Sequence, residues 1–263
     1  MTLEFIQTDL LARPGLVHAF TTRRGGASEG PYASLNLTRS RGDEAARVSD
    51  NRERVRKALG LDALVFATQV HGRAVSRVDG PPKGDQPAGE ADALITNRPG
   101  LGLVCQTADC TPILLFDPDN RAVAAIHSGW RGTVQNIVAA TVEAMTDAYG
   151  SRPEHVLAAI GPSISAVNYR VGPEVVAQFE AVFDVTGGIV SPKDPEGGAH
   201  LDVGEACRRQ LIMAGLAEAS IWRSRACTYA DEARLFSARR SHHQGQNGLF
   251  GGQAGIIALT ERA

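Results

Sequence analysis

The chain has 263 residues, 43% of them apolar and 21% charged, with a net charge of −2. That apolar share is enough for a full core and argues against disorder, and the near-neutral balance offers no basic field for a nucleic-acid backbone, so no nucleic-acid partner is expected. No apolar run approaches the roughly 20 residues of a membrane helix and no basic start leads into an apolar leader, so the expected compartment is a reducing cytosol, with Cys105, Cys110, Cys207 and Cys227 free or metal-bound.

In chain order, Thr21-Thr22-Arg23-Arg24-Gly25-Gly26-Ala27-Ser28 is a basic, glycine-rich loop. Its amides can approach an anion closely and its arginines can hold one; an exposed turn is the plainer alternative. Asp43 to Leu59 places Val48, Val55 and Leu59 on one helical face and stops at Gly60. Strands are expected at Leu64–Val70, Ala74–Val78, Ala91–Thr96, Leu101–Cys105, Pro112–Phe116 and Ala122–Ile126, with a proline- and glycine-broken loop from Gly80 to Glu90. The clearest helix runs from Thr133 to Tyr149, where Val134, Ile137, Val138, Thr141, Val142 and Met145 follow helical spacing and Gly150 and Pro153 end it. Val156–Ile160 reads as a strand, and Pro173 to Phe183 as a helix opened by a first-turn proline. A loop spans Ser191 to His200, and a helix spans Asp202 to Ala214 with a capping box from Asp202 to Glu205. The remaining expected strands are Ile221–Arg223, Leu235–Ala238 and Gly255–Leu259.

Several strands are apolar throughout, which means burial on both faces by helices or by a second sheet. Many strands and few helices predict an α+β (mixed α/β) protein of two packed mixed sheets covered by helices. Neither loop is long enough to link domains, so residues 1–263 read as one domain.

The chemistry gathers at three strand ends. His71 closes Leu64–Val70 and is followed by Gly72; Cys110 follows Thr107-Ala108-Asp109; His127 closes Ala122–Ile126. Two imidazoles and a thiolate make a three-ligand shell with one position left for water or substrate, and strand ends from separate parts of a sheet can converge without short spacing. The competing reading is a core-edge histidine and a small buried cysteine. After His127, Gly129 and Gly132 permit a turn into a helix whose start, with Arg131, suits an anion. Asp109 and Asp92 flank strand-end turns, so either could orient a histidine ring or move a proton, and either could be a turn residue. Arg239-Arg240 forms a second arginine pair beside His242-His243, which reads as a flexible surface pair. Dinucleotide, nucleophile-elbow and phosphate-loop motifs are absent from the sequence.

Gln69-Val70-His71-Gly72, Thr107-Ala108-Asp109-Cys110, His127-Ser128-Gly129-Trp130-Arg131-Gly132 and Ile160-Gly161-Pro162 occur in this order, with Thr22-Arg23-Arg24-Gly25-Gly26, Ser34-Leu35-Asn36-Leu37, Cys227-Thr228 and Phe236-Ser237-Ala238-Arg239-Arg240. The set resembles the YfiH-type, laccase-domain-containing family, also called the polyphenol oxidase or purine nucleoside phosphorylase family. The resemblance spans nearly the whole chain and implies a four-layer α/β/β/α sandwich. It also implies an enzyme that phosphorolyses adenosine, inosine, guanosine and methylthioadenosine and deaminates adenosine. It places the metal ligands at His71, Cys110 and His127 and a phosphate or substrate contact at Arg23, with Arg131 and Arg239 as further phosphate candidates. Zinc is the expected cofactor, with copper possible; the partners are purine nucleosides and phosphate, with no obligate protein partner. Two departures stand out: Ser128 where alanine is frequent, and Ser-His-His-Gln-Gly-Gln-Asn-Gly-Leu-Phe-Gly-Gly after Arg240 in place of Asp-Gly-x-Thr-Gly-Arg, which removes a late arginine.

Three alternatives stay open. A copper-dependent polyphenol oxidase could use the same donors, although seven histidines are few for a several-copper cluster. Cys110 with His127 could form a cysteine hydrolase. A non-catalytic nucleoside or metal binding module would bind purines without turnover.

Overall fold

A computed structural model describes residues 2–81, 84, 86–246 and 248–261, so positions 82, 83 and 85 of the Gly80–Glu90 loop, and 247 in the loop after Arg240, lie outside the described residues. The strands are β1 (Phe5–Ile6), β2 (Leu16–Thr21), β3 (Ala63–Phe66), β4 (Val75–Arg77), β5 (Ala93–Thr96), β6 (Leu101–Thr107), β7 (Thr111–Asp117), β8 (Ala122–Ser128), β9 (Leu157–Ile160), β10 (Arg170–Val171), β11 (Ala199–His200), β12 (Ile221–Arg223) and β13 (Gln253–Leu259). The α-helices are α1 (Ala45–Ala58), α2 (Trp130–Val134), α3 (Ile137–Tyr149), α4 (Pro173–Val182), α5 (Val203–Met213) and α6 (Ala238–His243).

Two mixed sheets form the centre. One has five strands in the order β1-β2-β13-β6-β3, the other six in the order β12-β9-β7-β8-β5-β4. The β3–β6, β4–β5 and β9–β12 pairs are parallel and the remaining pairs of these sheets antiparallel. Alternation along β7 shows how the layers stack: Leu114 and Phe116 meet Phe20, Leu103 and Ile257 of the other sheet, while Ile113 and Leu115 meet Val138, Phe179 and Leu211 of the helices. The outer face of the five-stranded sheet buries Val104, Ile256 and Ala258 against Val55 of α1 and Leu35 and Leu37. The order is helix, sheet, sheet, helix, the four-layer sandwich expected. Leu114 is fully buried between the sheets, and truncation of such a side chain to alanine costs about 2–5 kcal/mol.

Several elements depart from the sequence pattern. The helix expected from Thr133 to Tyr149 is divided: Asn136 takes a left-handed conformation (φ 59°) and caps α3 through its side chain. Asparagine tolerates that region better than most residues. Leu16–Thr21 forms β2, a strand whose apolar run is interrupted by His18; that imidazole is buried, with Nε2 accepting from the Thr8 amide at 3.0 Å. The expected strand Leu235–Ala238 does not form. The Gln253 side chain takes the place of a strand neighbour, accepting from the Phe236 amide at 2.7 Å and donating to its carbonyl at 3.1 Å, and Ser237 then caps α6. Leu64–Val70 pairs as β3 only as far as Phe66, which releases Ala67 to Val70 toward the site.

Candidate metal centre and substrate cleft

The ends of β6, β7 and β8 and the turn after β3 meet beside α2. There the ligand atoms of His71, Cys110 and His127 all lie within 4.8 Å of one another, the one such group among the described residues. The Cys110 Sγ is 3.9 Å from His71 Nε2, and the two imidazole rings meet edge to face with centroids 4.7 Å apart. Gly129 makes the space: a Cβ there would stand 3.0 Å from both Cys110 Sγ and His71 Cδ2. A hollow that a methyl group would fill, edged by a sulfur and two ring nitrogens, fits a metal ion, and one thiolate with two imidazoles is a donor set for zinc or copper.

Asp92 builds this geometry from behind. Its carboxylate is fully buried and accepts from His127 Nδ1 at 2.8 Å, and it also accepts from the amides of Val70, His71 and Gly72 at 3.2, 3.0 and 2.7 Å. These amides fold the turn that holds His71 at φ 60°, a conformation that costs a non-glycine residue energy. One side chain therefore orients the His127 ring directly and the His71 ring through its backbone. With Nδ1 of His127 occupied, Nε2 is left for the ion. Burial works against charge on Asp92, but the bonds from His127 and the backbone outweigh it and keep the carboxyl below its ordinary pKa. Asp92 is an anchored anion behind the ligands, outside the cleft lining.

Cys110 and His127 form a coupled pair. Burial alone would raise the Cys110 pKa, but the His127 charge and hydrogen bonds from both histidines bring it down to about 6. Burial alone would lower His127, but the Cys110 charge and the Asp92 bond raise it to about 9. Cys105 and Cys207 are buried in the core, and burial pushes their thiols up to about 12 and about 11.

The three ligands open into a cleft of about 670 Å³, within the roughly 300–1,000 Å³ of small-molecule sites. Of the expected anion contacts, Arg131 and Arg239 line it, each laid over an aromatic ring: Arg131 over Trp130 at 4.4 Å and Arg239 over Tyr169 at 4.9 Å. Asp109 also lines it but orients no histidine. At φ 96° it aims its carboxylate away from them, accepting from Thr228 Oγ1 at 2.6 Å and from the Arg239 amide at 2.7 Å. Tyr169 is held protonated, its pKa pushed up to about 12 by burial and then by the Cys110 charge.

Arg23 is not brought to this cleft. Its Nε donates to the Ala33 carbonyl at 2.7 Å, Nη1 donates to the Glu232 carbonyl at 3.1 Å, and the guanidinium lies over Phe236. The glycine-rich loop is consumed by its own chain: a Cβ at Gly26 would collide with the Ser34 carbonyl and Leu35. The cleft lining also includes Arg41, Arg52, Phe66, Trp130, Tyr169 and Phe250, which come from separate segments and carry no joint spacing signal. His242 stands at the lining too, exposed as expected of that pair, and His243 accepts or donates at Nδ1 with the Tyr229 hydroxyl at 3.0 Å.

The model of the family described as "Multi-copper polyphenol oxidoreductase laccase" matches residues 17–260. A protein of Deinococcus radiodurans named purine nucleoside phosphorylase is 44% identical over 239 residues, 89% of this chain and 88% of that protein. Adenosine deaminase RL5, from an unknown prokaryotic organism, is 38% identical over 85% of this chain and 88% of its own length. The crystal structure of YlmD from Geobacillus stearothermophilus superposes with a TM-score of 0.87 at 32% identity, covering 97% of this chain and 94% of that one. The crystal structure of the Bacillus licheniformis hypothetical protein YfiH gives the same TM-score, 0.87, at 31% identity and 93% of each chain. The chain belongs to the YfiH-type, laccase-domain-containing family.

Proposed function

We propose that this chain is a metal-dependent purine nucleoside phosphorylase that also deaminates adenosine, with zinc held by His71, Cys110 and His127. The observation that carries the reading is one cleft in which those three donors and two stacked arginines, Arg131 and Arg239, face the same space. Names borne by relatives of this chain support both activities. The substrates are adenosine, inosine, guanosine and methylthioadenosine with phosphate, the whole chain acts as one unit, and the expected setting is the cytoplasm; among the described residues, no helix is long and apolar enough to cross a membrane.

When bound, the ion supplies Lewis acidity to the reacting centre. The rest falls to side chains. In phosphorolysis a phosphate oxygen bonds to C1′ of the ribose as the bond from C1′ to the base breaks, and positive charge develops on the sugar. Arg131 and Arg239 fix the phosphate against that carbon, with their planes held by Trp130 and Tyr169. Tyr169, protonated at neutral pH, offers a hydrogen bond at the same wall. Asp109 holds Arg239 in place through its amide, and Asp92 keeps both imidazoles aimed.

Copper-dependent polyphenol oxidation is the second reading, favoured by the description of the matching family. Seven histidines, with His18, His155 and His200 engaged away from the triad at Thr8, Asp119 and Ala166, favour one ion over a cluster. The deciding experiment incubates purified protein with adenosine, with and without phosphate, and separates the products. Adenine and ribose 1-phosphate are expected only with phosphate, and inosine in both; unchanged adenosine in both defeats the reading. Metal analysis of protein purified without added copper decides between the ions.

A further inference from the structure

Gln106, near the end of β6, lines the cleft with a side chain whose direction is fixed. β3 pairs with β6 only as far as Phe66 opposite Val104. Beyond that point the Gln69 side chain stands in for the strand. Its Oε1 accepts from the Gln106 amide at 2.7 Å and its Nε2 donates to the Gln106 carbonyl at 2.8 Å. On the other edge Ala254 of β13 stands opposite Gln106. The Gln106 side chain then reaches across to the neighbouring segment, where Nε2 donates to the Leu37 carbonyl at 2.7 Å and to Thr38 Oγ1 at 3.1 Å. That segment is itself pinned, because Asn36 Oδ1 accepts from the amides of Thr38 and Gly252, both at 2.9 Å.

Chemistry settles which end of the Gln106 carboxamide is which. A carbonyl only accepts, so the atom facing Leu37 is the nitrogen, and a reversed amide would set oxygen against oxygen. Gln69 spends both ends of its own carboxamide on the Gln106 backbone. Gln106 spends only its nitrogen: Oε1 has no hydrogen-bond partner among the described residues, and the side chain is half-buried at the cleft. The cleft thus holds a neutral acceptor that cannot turn into a donor, which is a group suited to reading a donor on a ligand.

Gln106 shares its stretch of lining with Phe66 and Phe250, whereas Arg131 and Arg239 stand with the metal ligands. Displacement at C1′ brings the phosphate in on the face of the sugar opposite the departing base. The base therefore projects away from the arginines that hold the phosphate. Two aromatic rings and one fixed acceptor suit a flat heterocycle with a polar edge.

We propose that Gln106 selects the base: its Oε1 accepts from the 6-amino group of adenine, so this chain prefers 6-aminopurine nucleosides to 6-oxopurine ones in phosphorolysis. The inference rests on the reading as a purine nucleoside phosphorylase and adds a specificity residue to it. Adenosine and methylthioadenosine carry N–H donors at the 6-position. Inosine and guanosine carry an oxygen there, with their ring donor one position away at N1, so Oε1 meets a lone pair unless the base shifts. A free glutamine would serve both by turning over; here the Leu37 carbonyl blocks the turn. Deamination needs C6 at the ion, which is a different pose, so the contact belongs to phosphorolysis.

The test measures binding of adenine and of unsubstituted purine to the metal-loaded full chain by calorimetry, with phosphate present. The two bases differ only in the amino group. Adenine is expected to bind about tenfold tighter, the size of one well-placed hydrogen bond. Gln106→Met, unbranched and of similar length, is expected to bring the ratio near one. Gln106→Glu, which keeps an acceptor, is expected to retain a severalfold preference for adenine. A wild-type ratio near one, which needs no variant to measure, overturns the proposal. So does a ratio that Gln106→Met leaves unmoved, or one that falls equally in both variants. Adenine release from adenosine and phosphate on the same preparations separates the proposal from the reading beneath it. A Gln106-dependent preference without turnover keeps the base contact and defeats the enzyme assignment, and turnover without a preference does the reverse.

Discussion

The Asp109 carboxylate accepts the Arg239 amide at 2.7 Å, which ties the turn bearing Cys110 to the helix bearing Arg239. Its other oxygen takes the Thr228 hydroxyl at 2.6 Å. Asp109→Ala leaves both donors unpaired and puts a β-carbon-only residue at φ 96°, a cost of about 1–3 kcal/mol for the lost bonds. The expected result is a phosphate KM raised about tenfold with one ion per chain retained. Asp109→Asn should restore most of the loss, because asparagine tolerates the left-handed region and still offers one acceptor. Steady-state kinetics against phosphate, with metal content measured in parallel, check this; equal KM in wild type and Asp109→Ala would show that Asp109 does not position Arg239.

Asp92→Ala should act on the metal instead. It removes the acceptor of His127 Nδ1 and of three amides in the His71 turn. Loss of such a partner typically weakens metal binding about 10–100-fold. Competition with a chromophoric chelator measures it, and an unchanged affinity would mean that the rings are held by packing alone.

The triad was legible because His71, Cys110 and His127 each follow an apolar strand at the point where the chain turns, and strand ends of one sandwich share an edge. The layers were legible for a related reason: β7 and β8 are apolar on both faces, and such strands need a layer on each side. What escaped was set by contacts distant in sequence. Arg23 looks like an anion contact until the carbonyls of Ala33 and Glu232 claim it. Leu235-Phe236 looks like a strand until the Gln253 side chain satisfies its backbone. Asp92 and Asp109 looked equivalent, each an acid at a turn; depth separates them, one enclosed behind the imidazoles and one on the cleft wall.

Gly129→Ala tests the hollow between the ligands. The residue sits at φ −80°, open to any amino acid, so the restriction is space and not backbone strain. The added methyl would press on Cys110 Sγ and His71 Cδ2, each 3.0 Å away. The fold should survive, with circular dichroism unchanged and metal content per chain reduced severalfold. Full metal content in this variant would place the ion away from the space that Gly129 leaves.

Metal uptake should depend on pH with a sign fixed by the Cys110–His127 pair. In the metal-free protein Cys110 titrates near about 6 and His127 near about 9. Between those values the sulfur is already a thiolate and the ring still carries its proton, which the ion must displace to bind. Protons therefore compete with metal: affinity should rise about tenfold per pH unit from 6 to 9, level off above, and fall more steeply below 6, where the thiolate is protonated as well. Calorimetry near pH 7.5 in buffers of different ionisation enthalpy should register about one proton released per ion. Uptake without proton release at that pH would mean that His127 is neutral before the metal arrives, and the coupling of Cys110, His127 and Asp92 would have to be redrawn.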